Sequence, residues 1–102
     1  MQIDIHMAGS EARLALAGSF AFDTHRDFRA AYDTALADPA INTLNIDLTK
    51  VEYIDSSALG MLLVLKDRAA AANKTIALSG VQGTVAEVLD VANFGKLFTL
   101  RR

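Results

Sequence analysis

The 102-residue chain has no cysteine and one proline. Without cysteine there is no disulfide scaffold and no thiolate metal site, and the composition fits a reducing cytosol. No apolar run approaches the ~18 residues of a membrane span, and the opening MQIDIHMAGS lacks a basic segment followed by an apolar block. A cytoplasmic protein with no membrane span is therefore expected. Basic residues are scattered apart from the closing Arg101-Arg102, and the net charge is −2, so no stripe exists to track a phosphate backbone. Direct nucleic-acid binding is not expected. What the chain does have is a hydrophobic fraction of 52% against 22% charged residues, enough for a core and unlike a disordered segment. One domain over residues 1–102 is the natural count.

Periodicity sets the skeleton. IDIHM and RLALAG alternate, with Ile3, Ile5, Met7, Leu14 and Leu16 on one side and AGSE as the turn between them, an opening hairpin. Asp23 is placed to cap a helix in which Phe28, Ala31, Tyr32, Ala35 and Leu36 recur at helical spacing, ended by Asp38-Pro39. INTLNIDLTK alternates Leu44, Ile46 and Leu48 against Asn45 and Asp47, a half-buried strand. A helix then runs from the Ser56-Ser57 pair to about Ala72. KTIALSG predicts a strand with Ile76 and Leu78 inward. TVAEVLDVANFG predicts a helix on Val85, Val88, Leu89 and Ala92, stopped at Asn93 or Gly95, and KLFTL a closing strand. The order β-β-α-β-α-β-α-β implies an α/β domain: a mixed sheet, parallel at its centre, with helices mainly on one face.

The segment YIDSSALGMLL, residues 53–63, holds an acid and two hydroxyls where a strand turns into a helix, beyond the carboxyl end of a central strand, where function collects in open α/β sheets. Asp55, Ser56 or Ser57 can each cap the helix, a role worth about 1 kcal/mol that one side chain suffices to fill. A hydroxyl is left over, at a helix end whose free N–H groups and dipole favour an anion such as phosphate. The helix itself carries two apolar stripes, Leu59, Leu62, Leu63 and Ala70, and Ala58, Met61, Leu65, Ala69 and Ala72, where packing on a sheet needs one. The surplus stripe is covered by a neighbouring helix or forms a patch for a partner.

Other chemistry is thin. His6 and His25 stand apart, with no carboxylate or second histidine at ligand spacing, so no metal site is expected. The carboxylates form no acid/base pair. Gly80 to Gly83 (GVQG) lacks the Lys-Ser/Thr of a phosphate loop, and Ser56 lacks the G-x-S-x-G elbow and a local histidine base. The chain is expected to be no enzyme and to need no cofactor.

On these residues the whole chain resembles the STAS domain of bacterial anti-sigma factor antagonists. The hallmark turn stands here as DSSALG, Asp55 to Gly60, preceded by LTKVEYI and followed by MLLVLKDR; LAGSF at residues 16–20 and LSGVQGTVAEVLDVANFGKLFTL also match. The resemblance implies that Ser56 is the serine phosphorylated by an anti-sigma factor serine kinase, with Ser57 as runner-up, and that a serine phosphatase reverses it. Unphosphorylated, such a domain binds the anti-sigma factor and frees a sigma factor. It further implies a partner surface of Asp55, Ser56, Ser57, Ala58, Leu59, Met61 and Leu65, with Ala21 and Asp23 from the loop ahead of the first helix. Two positions depart from the pattern: Ala21 stands where some members carry an acid, and Ala58 where glycine is usual. The alternative is a STAS subunit of a transporter or other complex that is not phosphorylated and whose turn forms a permanent interface. The sequence leaves the oligomeric state open.

Overall fold

The computed structural model describes residues 1–101. Strands β1 (Gln2–Ala8) and β2 (Glu11–Phe20) form the predicted hairpin around Gly9, which takes the left-handed φ of +60° that so tight a turn requires. Then come α1 (His25–Ala37), β3 (Thr43–Ile54), α2 (Ser56–Ala71), β4 (Thr75–Ser79), α3 (Gly83–Val91) and β5 (Thr99–Leu100), in the predicted order. The sheet order is β1-β2-β3-β4-β5, the first pair antiparallel and the rest parallel.

That order decides where the helices go. Each parallel connection steps to the next strand in the same direction, and right-handed crossovers that never reverse must lay their helices on one face. Phe28, Leu62 and Leu89 from the three helices accordingly join Leu14, Ile46 and Leu78 of the sheet in a single core. Phe20, Phe28 and Tyr32 form a run of aromatic contacts inside it, with centroids 4.9 and 5.3 Å apart. The other face is more polar: Asp4, Ala15, Asp47 and Ser79 lie in one cross-strand row, and His6, Arg13, Asn45 and Ala77 in the next, with Asn45 and Ala77 buried.

Four local expectations are corrected. β3 continues through Lys50 to Ile54, its register with β2 slipping between Ala15 and Ala17 and again between Gly18 and Ser19, and such irregularities bend a strand. Asp23 does not cap α1: it sits exposed in a 3-10 turn, Phe22–Thr24, whose own Thr24 N–H to Ala21 C=O bond (3.0 Å) starts the helix, with the Thr24 hydroxyl donating to the same carbonyl. The closing strand shrinks to two residues because Phe94 and Phe98 are both buried and stacked, which a 3-10 turn at Phe94–Lys96 permits and an extended strand does not. The two stripes expected on α2 regroup, Leu62 joining Ala58, Leu65 and Ala69. Its buried face is Ala58, Leu62, Leu65 and Ala69, which at 100° per residue fall within a narrow arc, leaving Leu59 and Leu63 on one flank and Met61 and Val64 on the other.

Candidate functional site: the turn from β3 into α2

β3 ends on buried Ile54, and Asp55 follows in extended conformation as the cap of α2. Its carboxylate does two things at once. Oδ1 accepts the N–H of Ala58 at 2.8 Å, the capping bond, while Oδ2 accepts the N–H of Phe22 at 3.3 Å, from the loop between β2 and α1. The Asp55 N–H donates to Phe20 C=O at 3.2 Å, so backbone and side chain together fasten the two loops. Ala21, Phe22 and Asp23 are thereby held beside the serine turn.

Because Asp55 supplies the cap, neither serine does. Ser56 is the first residue of α2 and exposed, Ser57 the second and half-buried, and neither hydroxyl has a hydrogen-bond partner among the described residues. The Leu59 N–H reaches Asp55 C=O at 3.2 Å, which leaves the N–H groups of Ser56 and Ser57 pointing out of the helix end without acceptors. Capping thus explains Asp55 and leaves both serines unexplained.

Around this turn the residues predicted from the sequence divide. Ala58 and Leu65 are fully buried in the core, so they support the surface and do not form it, a correction to the expected partner surface. Leu59, Met61 and Ala21 are half-buried and Asp23 is exposed. Missing from the expectation were Phe22, 69% exposed, whose backbone N–H meets Asp55 and whose ring stacks on His25, and Tyr53, 53% exposed, two residues before Asp55. The signal for Tyr53 was present, since it breaks the alternation just before buried Ile54; Phe22 required the Asp55 contact. On either side of α2 runs an apolar groove. One, about 240 Å³, lies against α1 between Met61, Val64, His25, Phe28 and Tyr32; the other, about 310 Å³, lies against α3 between Leu59, Val88, Val91 and Ala92.

The next turn on the same sheet edge is built differently. Gly80 takes φ +66° and passes directly over Thr49, whose N–H and hydroxyl both donate to Asp47 Oδ1, and Gln82 Nε2 donates to Thr49 C=O at 3.4 Å. Burial alone would push the Asp47 carboxyl up. The two bonds from Thr49 and the Arg13 guanidinium, 3.0 Å away, outweigh it and hold the group below its ordinary value of 3.8.

No helix of the described residues is long and apolar enough to cross a membrane, and no group of three or more His, Cys, Asp or Glu residues there is placed to hold a metal. Because the strand order never reverses through the parallel part, the sheet has no switch-point crevice, and the Ser56 turn lies on open surface.

A STAS-domain-containing protein of Pseudomonas aeruginosa (strain UCBPP-PA14) is 39% identical over 92 residues, 90% of this chain and 89% of that protein. Among solved structures, an anti-sigma factor antagonist from Mycobacterium paratuberculosis superposes with a TM-score of 0.86 at 17% identity, over 98% of this chain and 84% of that one. The Bacillus cell fate determinant SpoIIAA in its phosphorylated form gives 0.74 at 19%, over 99% and 92%. The STAS domain of a SulP transporter from Vibrio cholerae gives 0.75 at 19%, over 95% and 77%. At such identities the structural likenesses establish the fold, one shared by antagonists and transporter domains alike. The family model described as "Mlab, STAS domain" matches residues 3–101, and with the Pseudomonas relative it fixes the conclusion that the chain belongs to the STAS-domain family.

Proposed function

We propose that the chain is an anti-sigma factor antagonist whose binding is switched off by phosphorylation of Ser56. The observation that carries this reading is the division of labour at the turn: Asp55 performs the capping and the loop fastening, and Ser56 stands exposed with no structural duty. A hydroxyl so placed is free to be esterified without dismantling the helix. The resulting phosphate, carrying ~1.5 to 2 negative charges, is tolerated by the outward N–H groups of the first turn. It also lands one residue from Asp55, on a turn where Phe22 and Tyr53 are exposed, and a partner that docks on this surface must desolvate it.

In this reading an anti-sigma factor serine kinase binds the unphosphorylated chain and a serine phosphatase restores it, in the cytoplasm. ATP and magnesium belong to the kinase, and the chain is a substrate and binding module with no catalysis of its own. Ser57, half-buried and one step into the helix, is the less accessible acceptor.

The α2–α3 groove favours a second reading. Val91 is 85% exposed at its rim, and Leu59 and Leu63 share its flank of α2 with Ser56, as a standing subunit interface of a transporter or other complex would have them. Site-mapped intact-mass measurement on the chain from its own host, with and without phosphatase, separates the two. One phosphatase-sensitive phosphate on Ser56, absent from Ser56→Ala, together with weaker anti-sigma factor binding by Ser56→Asp in titration calorimetry, is the expected outcome. No phosphate under any growth condition favours the permanent interface, and phosphate persisting on Ser56→Ala transfers the role to Ser57.

A further inference from the structure

β1 is the outer strand of the sheet. β2 pairs with one side of it, and the other side presents a row of backbone N–H and C=O groups with no strand beside it among the described residues. Protein edges of this kind are normally blunted by proline, lysine, a bulge or a covering segment. QIDIHMA contains neither proline nor lysine, its pairing with β2 runs from Gln2 to Ala8 without a register break, and all its residues except Ile3 are exposed. On the helix-bearing side, Ile5 and Met7 are 40% and 46% exposed, apolar surface that α1 leaves uncovered.

We infer that this edge pairs with the β1 edge of a second copy of the chain, antiparallel, with Ile5 of both copies on the two-fold axis. The strand's own residues single out that register. A two-fold axis perpendicular to the sheet makes the contact self-complementary and antiparallel. Since side chains alternate between faces, the axis must pass through a residue for Ile3, Ile5 and Met7 to stay on the helix-bearing side in both copies. An axis at Asp4 sets Asp4 against Asp4, and one at His6 sets His6 against His6. An axis at Ile5 sets Asp4 against His6 twice, Ile3 against Met7 twice, and Ile5 against itself. Like charges directly opposite, as in the Asp4 register, destabilise a strand pair, whereas a ring N–H of His6 can donate to the Asp4 carboxylate.

Within one chain neither Asp4 nor His6 has an ion pair or side-chain hydrogen bond among the described residues, so both are available. One strand edge buries less than the ~1,200 Å² at the low end of stable interfaces, so the dimer is weak and concentration-dependent. The axis also directs the two Ser56 turns to opposite ends of the joined sheet, so this contact is independent of the proposed switch.

Sedimentation velocity from micromolar to near-millimolar concentration tests it. The chain is expected to shift from monomer to dimer across that range. Asp4→Lys and His6→Glu should each weaken the dimer about tenfold, and the double variant Asp4→Lys/His6→Glu should restore it. Ile5→Lys, which sets like charges on the axis, should leave a monomer throughout, with thermal unfolding by circular dichroism verifying that each variant is folded. A parent chain that stays monomeric at the highest concentration overturns the inference, as does a double variant no tighter than the single ones.

Discussion

Two strand-to-helix turns lie side by side at the carboxyl edge of the sheet, and they are made by opposite means. Between β4 and α3 the backbone does the work: Gly80 and Gly83 take left-handed φ values, Gln82 gives α3 no side-chain cap, and Thr49 fills the space under Gly80. Between β3 and α2 the backbone is ordinary and one carboxylate does the work, through Ala58 and Phe22. A turn made by backbone shape uses up its residues. A turn made by a single side chain leaves its neighbours, Ser56 and Ser57, free for another role.

The contrast can be broken most severely at Gly80. A Cβ there would strike Thr49, meeting its N at 2.6 Å and its Cα at 2.8 Å besides its hydroxyl, in a conformation side chains disfavour. Gly80→Ala is expected to cost about 2 to 4 kcal/mol in urea unfolding at an unchanged m-value. At the other turn, Asp55→Ala removes the cap and the Phe22 bond together, for about 1 to 2 kcal/mol. Ser56→Ala in the same assay should stay within about 0.5 kcal/mol; a loss as large as that of Asp55→Ala would mean the serine bears structural load after all.

The smallest effect sharpens the role of Asp47 beneath the glycine turn. Its carboxylate form is favoured by folding, so its contribution is fully present above the ordinary value of 3.8 and is lost as pH falls from there through the lower folded value. Asp47→Asn should flatten the decline of stability with pH in that window. Unfolding curves for the parent chain and the variant between neutral and strongly acid pH would decide it.

Most of the architecture was legible because period-2 and period-3.6 patterns are local, and the right-handed crossover rule converts their order into a one-sided sheet. The errors fall where burial depends on distant residues. Phe94 and Phe98 stack on each other and override the alternation of KLFTL. On α2, Leu62 lies only 40° from Ala58 and joins its buried face once the sheet is beneath them, while Leu59 and Leu63 stay on the flank. The turn was recognisable from three letters. Which of the three served as cap was not, since the deciding partner, the N–H of Phe22, lies 33 residues away.

That separation has a consequence for when the site exists. One carboxylate spans from Ala58, three residues ahead, to Phe22, 33 behind. A peptide copied from residues 53–63 would keep every letter of the turn and lose the Phe22 bond, which a nascent chain lacks until β2, β3 and α2 have come together. A kinase of the proposed kind would meet Ser56 in this setting only in the finished fold.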